Sequence, residues 1–211
     1  MPQLQQIRSQ LAAAEPLVID LAGRAAAAVA VVLREQGPHS EVLFIERAKH
    51  EGDPWSGQMA FPGGRVDPED ASALDAAKRE TFEEVGLLLA GAELLGRIDD
   101  QEGRPTSPSG GLVISAHAFY LEDPGPLALD ESEVAEAFWF PVSDLLDPER
   151  HIDYRYPGME GSGMKEMHFP GIVVGDPDRH VVWGLTYRFL EIFLATVGHP
   201  LPARWSDLHK V

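Results

Sequence analysis

Three glutamates, Glu80, Glu83 and Glu84, stand three and four residues apart near the end of a segment running from Phe61 to Leu87. At 3.6 residues per turn this spacing gathers their side chains within about 100° on one helix face, a face expected to look towards solvent. Like charges so placed repel by a few tenths of a kcal/mol even when exposed, and the negative end of the helix dipole lies close by. A hard divalent cation suits such a set, because its preferred ligands are carboxylate oxygens. Taken alone, the three glutamates also read as an ordinary solvated helix face. Arg79, immediately before them, and the glycines ahead of the helix favour a metal platform.

The platform needs a turn, a helix and a stop. Gly63 and Gly64 permit close backbone approach or positive φ. Asp67-Pro68-Glu69-Asp70 reads as a helix start, with Asp67 as N-cap, Pro68 at the first helical position and Asp70 closing a capping-box-like pair. Leu74, Ala77, Thr81 and Val85 form the apolar face, and Gly86 ends the helix as a left-handed cap.

Composition narrows the function. The chain has 211 residues, a net charge of −17, 44% hydrophobic residues and no cysteine. Its length fits one domain of ordinary size. Disulfides, thiolate catalysis and cysteine-held zinc are excluded, so a metal here would use oxygen or imidazole ligands. The acidic balance (pI ≈ 4.7) argues against binding to nucleic acid or anionic membranes, which demands clustered Lys and Arg. No apolar run reaches the roughly 18 residues of a membrane span, and the N-terminus lacks a signal-peptide core, so a cytoplasmic location is expected. The acidic excess is expected to be solvated surface rather than a second metal site.

Residues 3–14 read as a polar-faced helix, an N-terminal appendage over 1–24. Ala25 to Leu33 and Glu41 to Arg47 are apolar and β-branched around a Gly-Pro turn, the pattern of a β-hairpin. Ala48 to Ala60 is a structured loop carrying Trp55, whose ring suits either packing or stacking on a base. A strand over Ala92–Ile98, a loop over Asp99–Gly111, and a strand over Leu112–Leu121 follow. After Glu133–Pro141 come a short helical turn at Val142–Leu146, an irregular Tyr154–Phe169 and a strand near Gly171–Val174. An amphipathic helix over Val181–Val197 completes a domain spanning 25–198, with 199–211 as tail. His117 reads as a core or surface histidine, and Trp183, Phe189 and Phe193 as core.

The segment Gly64–Leu87, with Arg79-Glu80, Glu83-Glu84, Gly86 and Leu87 in order, resembles the Nudix box. The family's early glutamate falls here on Ala71, with Asp70 beside it. This longer form is similar to the coenzyme A pyrophosphatase branch, as are Gly57 to Gly64 (GQMAFPGG), Glu133-Val134-Ala135-Glu136 with Trp139 to Leu146, and Trp183 to Thr186. Arg47 matches the first of two arginines in that branch's upstream motif; the second falls on Asp53.

The resemblance implies an α/β (α+β) fold, a Nudix-type α/β/α sandwich with a mixed β-sheet, and metal-dependent hydrolysis of a diphosphate. It implies Mg²⁺ or Mn²⁺ held by Glu80 and Glu84, with Glu83 as third ligand or supporting partner, and Arg79 orienting the glutamates. Arg47, Gly63, Gly64 and Trp55 are the implied substrate contacts. The general base stays open between a glutamate of the box and one from a distant loop, where Glu102, Glu131, Glu133 and Glu136 are available. The implied partner is a small nucleoside diphosphate derivative, coenzyme A or an acyl form being favoured. ADP-ribose, NADH and dinucleoside polyphosphates are alternatives, the Asp53 departure favouring the first, and a nucleotide-binding regulator without catalysis is a rival of another class. A homodimer is compatible with all of these.

Overall fold

A computed structural model of the chain describes residues 3–51, 55–103, 111–156 and 167–202. Asp53, most of the 99–111 loop, the middle of the 154–169 segment and most of the 199–211 tail lie outside these residues.

Strand β1 (Ala26–Gln36) is buried on both faces, and its alternation divides the core. Ala27, Val31 and Leu33 face one side; Ala28, Ala30 and Val32 face the other, as successive strand residues must. The expected hairpin forms: β2 (His39–Arg47) returns antiparallel to β1, with Gly37 at φ 60° in the turn. The main sheet adds β3 (Met59–Ala60), β4 (Gly63–Arg65), β5 (Glu93–Glu102), β6 (Val113–Tyr120) and β7 (Val134–Pro141). Its order is β3-β2-β1-β6-β5, with β4 also beside β1 and β7 beside β2. The β1–β6 pairing is parallel and the others are antiparallel, so the sheet is mixed. A smaller sheet joins β8 (His151–Tyr156), β9 (Met167–Val173) and β10 (Val181–Val182).

Helix α1 (Leu4–Ala13) packs onto the rest of the chain. Leu4, Ile7 and Leu11, spaced three and four apart, are buried in the same core as β1, β5 and the last helix. Burial of a side chain of this size stabilises by roughly 1.5–3 kcal/mol. The Gln6 side chain also donates to the Val197 carbonyl at 2.9 Å. No described helix is long and apolar enough to cross a membrane.

Helix α2 (Ala73–Val85) covers one sheet face. Alanines meet there from both sides, Ala28 and Ala30 against Ala76 and Ala77, which lets the helix backbone approach closely. The opposite face is covered by α1 and α3 (Gly184–Thr196), the latter burying Tyr187, Phe189, Leu190, Phe193 and Leu194. The expected start of the last helix at Val181 is displaced, because Val181 and Val182 pair with β9 as β10. His117, on β6, is buried, and burial lowers its pKa to about 4, keeping the ring neutral.

Candidate active site

Helix α2 begins five residues after the position expected from Asp67. Ser72 is its N-cap, accepting the Asp75 N–H at 3.2 Å while its hydroxyl donates to the Asp75 carboxylate at 2.7 Å. Asp67 to Asp70 instead form a separate turn, in which the Asp67 N–H donates to Asp70 Oδ2 at 2.8 Å. Both four-residue stretches carry a capping pattern. The first is diverted because Asp70 holds Arg79: Nε donates to Oδ1 at 3.0 Å and Nη2 to Oδ2 at 2.9 Å. This two-point bond holds the Asp70 carboxyl below its ordinary range and raises the Arg79 pKa further above an arginine's normal value. Arg79 also donates to the Arg65 carbonyl at 3.0 Å and to Glu83 at 2.8 Å, and lies 3.0 Å from Glu80. The planar guanidinium thereby ties the turn, β4 and two glutamates together, a task a point charge on lysine would do poorly.

Glu84 contradicts the expectation of a solvent-side face. It is 2% exposed, because β4 lies across the helix and the Gly63 N–H donates to its Oε2 at 2.8 Å. Burial lifts its pKa to about 8; the Gly63 N–H and the charge of Arg47 oppose the shift, and Glu80 and Glu133 add to it. Glu80 is raised in the same direction, chiefly by burial, against the pull of Arg79. Gly64 leaves room for the Glu80 carboxylate: a Cβ on it would lie 2.3 Å from the Glu80 carboxyl carbon and displace that group. A Cβ on Gly63, at φ 148°, would lie 2.2 Å from the Ala28 carbonyl oxygen. Gly86 closes the helix at φ 74°, as expected of a left-handed cap.

Glu83 departs from the other two. Its carboxylate is 53% exposed and bonded to Arg79, and the three glutamates do not come within 4.8 Å of one another as a set. Arg47 lies on the α2 face of β2 with Ile45, two residues before it, in electrostatic reach of Glu84. A β-bulge adjoins it. Glu46 pairs with Glu136 but Arg47 pairs with Val134, leaving Ala135 as the extra residue. The chain just before the bulge brings in Glu133, whose carbonyl accepts the Ala48 N–H at 2.8 Å and whose charge acts on both Glu80 and Glu84. Of the other candidate bases, Glu102 is paired with Arg24 at 2.5 Å and Glu136 belongs to a separate cluster; Glu131 is exposed like Glu133 but is not among the leading charges acting on Glu80 or Glu84. Trp55 is 46% exposed in the turn before Gly57, where the Gly57 N–H donates to the Arg47 carbonyl at 3.1 Å.

The donor set fits a divalent ion. A carboxyl buried beside a second carboxyl, with its pKa raised, is costly to ionise unless positive charge arrives, and oxygen donors suit Mg²⁺ or Mn²⁺. Glu46, Glu136 and His180, on the opposite face, do place one ligand atom each within 4.8 Å of one another. That cluster fits a metal poorly. His180 Nδ1 accepts the Asp176 N–H at 3.0 Å, which leaves the proton of the neutral ring on Nε2, the atom facing the carboxylates. Arg179 Nη2 already donates to Glu46 and lies 3.3 Å from Glu136.

A NUDIX domain model matches residues 23–158. The Nudix hydrolase NudL of Yersinia pestis (strain Pestoides F) is 30% identical over 173 residues, 80% of this chain and 76% of that protein. The protein C14C4.10c of Schizosaccharomyces pombe is 41% identical over 114 residues; these cover 51% of this chain but 34% of the yeast protein's length. Among solved structures, a Caenorhabditis elegans Ap4A hydrolase is similar at 20% identity and a TM-score of 0.48, covering 58% of this chain and 83% of its own. The chain belongs to the NUDIX domain family and is a Nudix hydrolase.

Proposed function

We propose that the protein hydrolyses a diphosphate linkage in coenzyme A or an acyl-coenzyme A, giving 3′,5′-ADP and a phosphopantetheine. The observation that carries the diphosphatase chemistry is the buried Glu84 carboxyl, placed against Gly63 and acted on by Glu80, Arg47 and Glu133. Glu80 and Glu84 would hold Mg²⁺ or Mn²⁺, with Glu83, held by Arg79, as a third ligand or supporting partner. The ion supplies charge neutralisation at the crowded phosphorus and acidifies bound water. Arg79, braced by Asp70, fixes the angle of the glutamates. Arg47 takes a phosphate oxygen, and Trp55 in the neighbouring turn offers a face to the base. Glu133 receives the proton of the attacking water, being the one of the four candidates with electrostatic reach to both Glu80 and Glu84.

The choice of coenzyme A is supported by the resemblance at GQMAFPGG, at Glu133 to Leu146 and at Trp183 to Thr186. A second reading, ADP-ribose, is favoured by Asp53 standing where that branch has its second arginine. Incubation with Mg²⁺ or Mn²⁺ and a panel of coenzyme A, ADP-ribose, NADH and diadenosine polyphosphates separates them. Coenzyme A is expected to give the highest kcat/KM. A preference for ADP-ribose overturns the substrate, and tight binding without turnover of any of them overturns the enzyme.

A further inference from the structure

A small open cavity of about 180 Å³ lies beside Gly63 and Gly64 on the α3 side of the sheet. It shares those two glycines with the active site, where one donates to Glu84 and the other lies against Glu80. Val29, Ile114, Leu185 and Phe189 form much of its wall, and Phe61 stands beside them. The polar side chain among its lining residues is that of Thr186, whose hydroxyl is already committed to the Met59 carbonyl at 3.2 Å. The volume exceeds the roughly 30 Å³ of one water and falls below the roughly 300–1,000 Å³ of a pocket for a whole ligand. Such a cavity has room for one apolar group of a substrate, and the two glycines it shares with the active site place it next to the diphosphate site.

We infer that this cavity seats the quaternary, dimethyl-bearing carbon of the pantoyl group, which stands two bonds from the diphosphate oxygen in coenzyme A. The inference rests on the proposed diphosphatase site and names the half of the substrate that the site selects. In ADP-ribose the corresponding position is C4 of the ribose, which bears the ring oxygen and a hydroxyl-bearing ring carbon in place of the two methyl groups. Those oxygens would lose water against Val29, Ile114 and Phe189 and gain no bond there, a cost that selects against them. Two methyl groups buried in the same place favour coenzyme A by about fourfold each, or more than tenfold together. Selection thus arises at the reacting end of the molecule, independently of an acyl chain at its far end.

Dephospho-coenzyme A and ADP-ribose form the test pair, since both carry ADP and differ beyond the diphosphate. Wild type is expected to favour dephospho-coenzyme A at least tenfold in kcat/KM. Val29→Phe, which fills the cavity, and Leu185→Asn, which makes its mouth polar without crowding the core, are each expected to cut that ratio at least fivefold. A methyl-labelled sample of the full chain titrated with 4′-phosphopantetheine in Mg²⁺ is expected to shift the Val29, Ile114 and Leu185 signals, while ribose 5-phosphate leaves them in place. Equal responses to the two phosphates, or none at these methyls, overturn the cavity assignment. An unchanged ratio in a folded Leu185→Asn protein does the same. Methyl shifts with phosphopantetheine, alongside no turnover of any coenzyme A, support the cavity and sink the proposed reaction instead.

Discussion

Two acidic clusters flank the main sheet, and they are built in opposite ways. On the α3 side, Glu46 and Glu136 sit across from each other on β2 and β7, and Arg179 lies against both while the His180 Nε2 edge stands 3.4–3.6 Å away. Positive charge from another part of the chain has been brought to the buried Glu46 and the half-exposed Glu136. On the α2 side, Arg79 is spread over Asp70, Glu80 and Glu83, and the most buried carboxyl, Glu84, is bonded by a neutral amide. Burial raises its pKa, and the Gly63 N–H and the charge of Arg47 do not offset the shift. A carboxylate pair already matched by its own arginine is structural, whereas a buried carboxyl bonded only by a neutral amide suits an added ion and an anionic substrate.

The largest consequence should appear in turnover. Glu84→Gln keeps the shape and the Gly63 bond but removes the charge, and is expected to lower kcat/KM by at least a hundredfold, the scale of losing one preorganised charge at a reacting phosphorus. Glu136→Gln, in the cation-matched cluster, should change it less than threefold. Steady-state kinetics on the best substrate of the panel compares the two; similar losses would erase the contrast.

A second difference concerns pH. Glu84 has its folded pKa raised to about 8, well above an unfolded glutamate near 4.3. Between these values the folded state binds more protons than the unfolded state, so stability is highest at the acid end of that window and falls as pH rises through it. In metal-free protein the fall attributable to Glu84 is expected to be a few kcal/mol. Thermal unfolding from pH 5 to 8.5 should therefore show a declining Tm that Glu84→Gln flattens and that added Mg²⁺ or Mn²⁺ restores. A decline unaffected by either change would remove the basis for Glu84 as a ligand.

A smaller effect is expected at the brace. Arg79→Lys retains the charge but cannot span Asp70, Glu83 and the Arg65 carbonyl together, and should lower kcat about tenfold with a smaller change in KM. If KM carries the whole loss, Arg79 contacts substrate rather than positioning the glutamates.

Much of this contrast was legible on one side of the sheet and invisible on the other. Glu80, Glu84, Arg79 and the Gly86 cap lie within one short segment, where helical periodicity and capping chemistry act locally. Even there, the helix start was misplaced, because Asp67…Asp70 and Ser72…Asp75 offer the same pattern and only the partner of Arg79 decides between them. The burial of Glu84 could not be read from α2 at all. It comes from β4, whose position depends on pairing with β1. The Glu46–Arg179 pair joins residues 133 apart in sequence, so no local pattern announces it, and the acidic excess there read as solvated surface. Likewise the helical face of α1 read as polar, whereas Leu4, Ile7 and Leu11 find their partners in β5 and α3.

The account turns on where a divalent ion binds, which calorimetric titration of Mn²⁺ measures directly on wild type, Glu84→Gln and Glu136→Gln. The prediction is binding by wild type and Glu136→Gln, with the heat of binding lost in Glu84→Gln. Retention in Glu84→Gln together with loss in Glu136→Gln would contradict it, placing the ion in the cluster across the sheet.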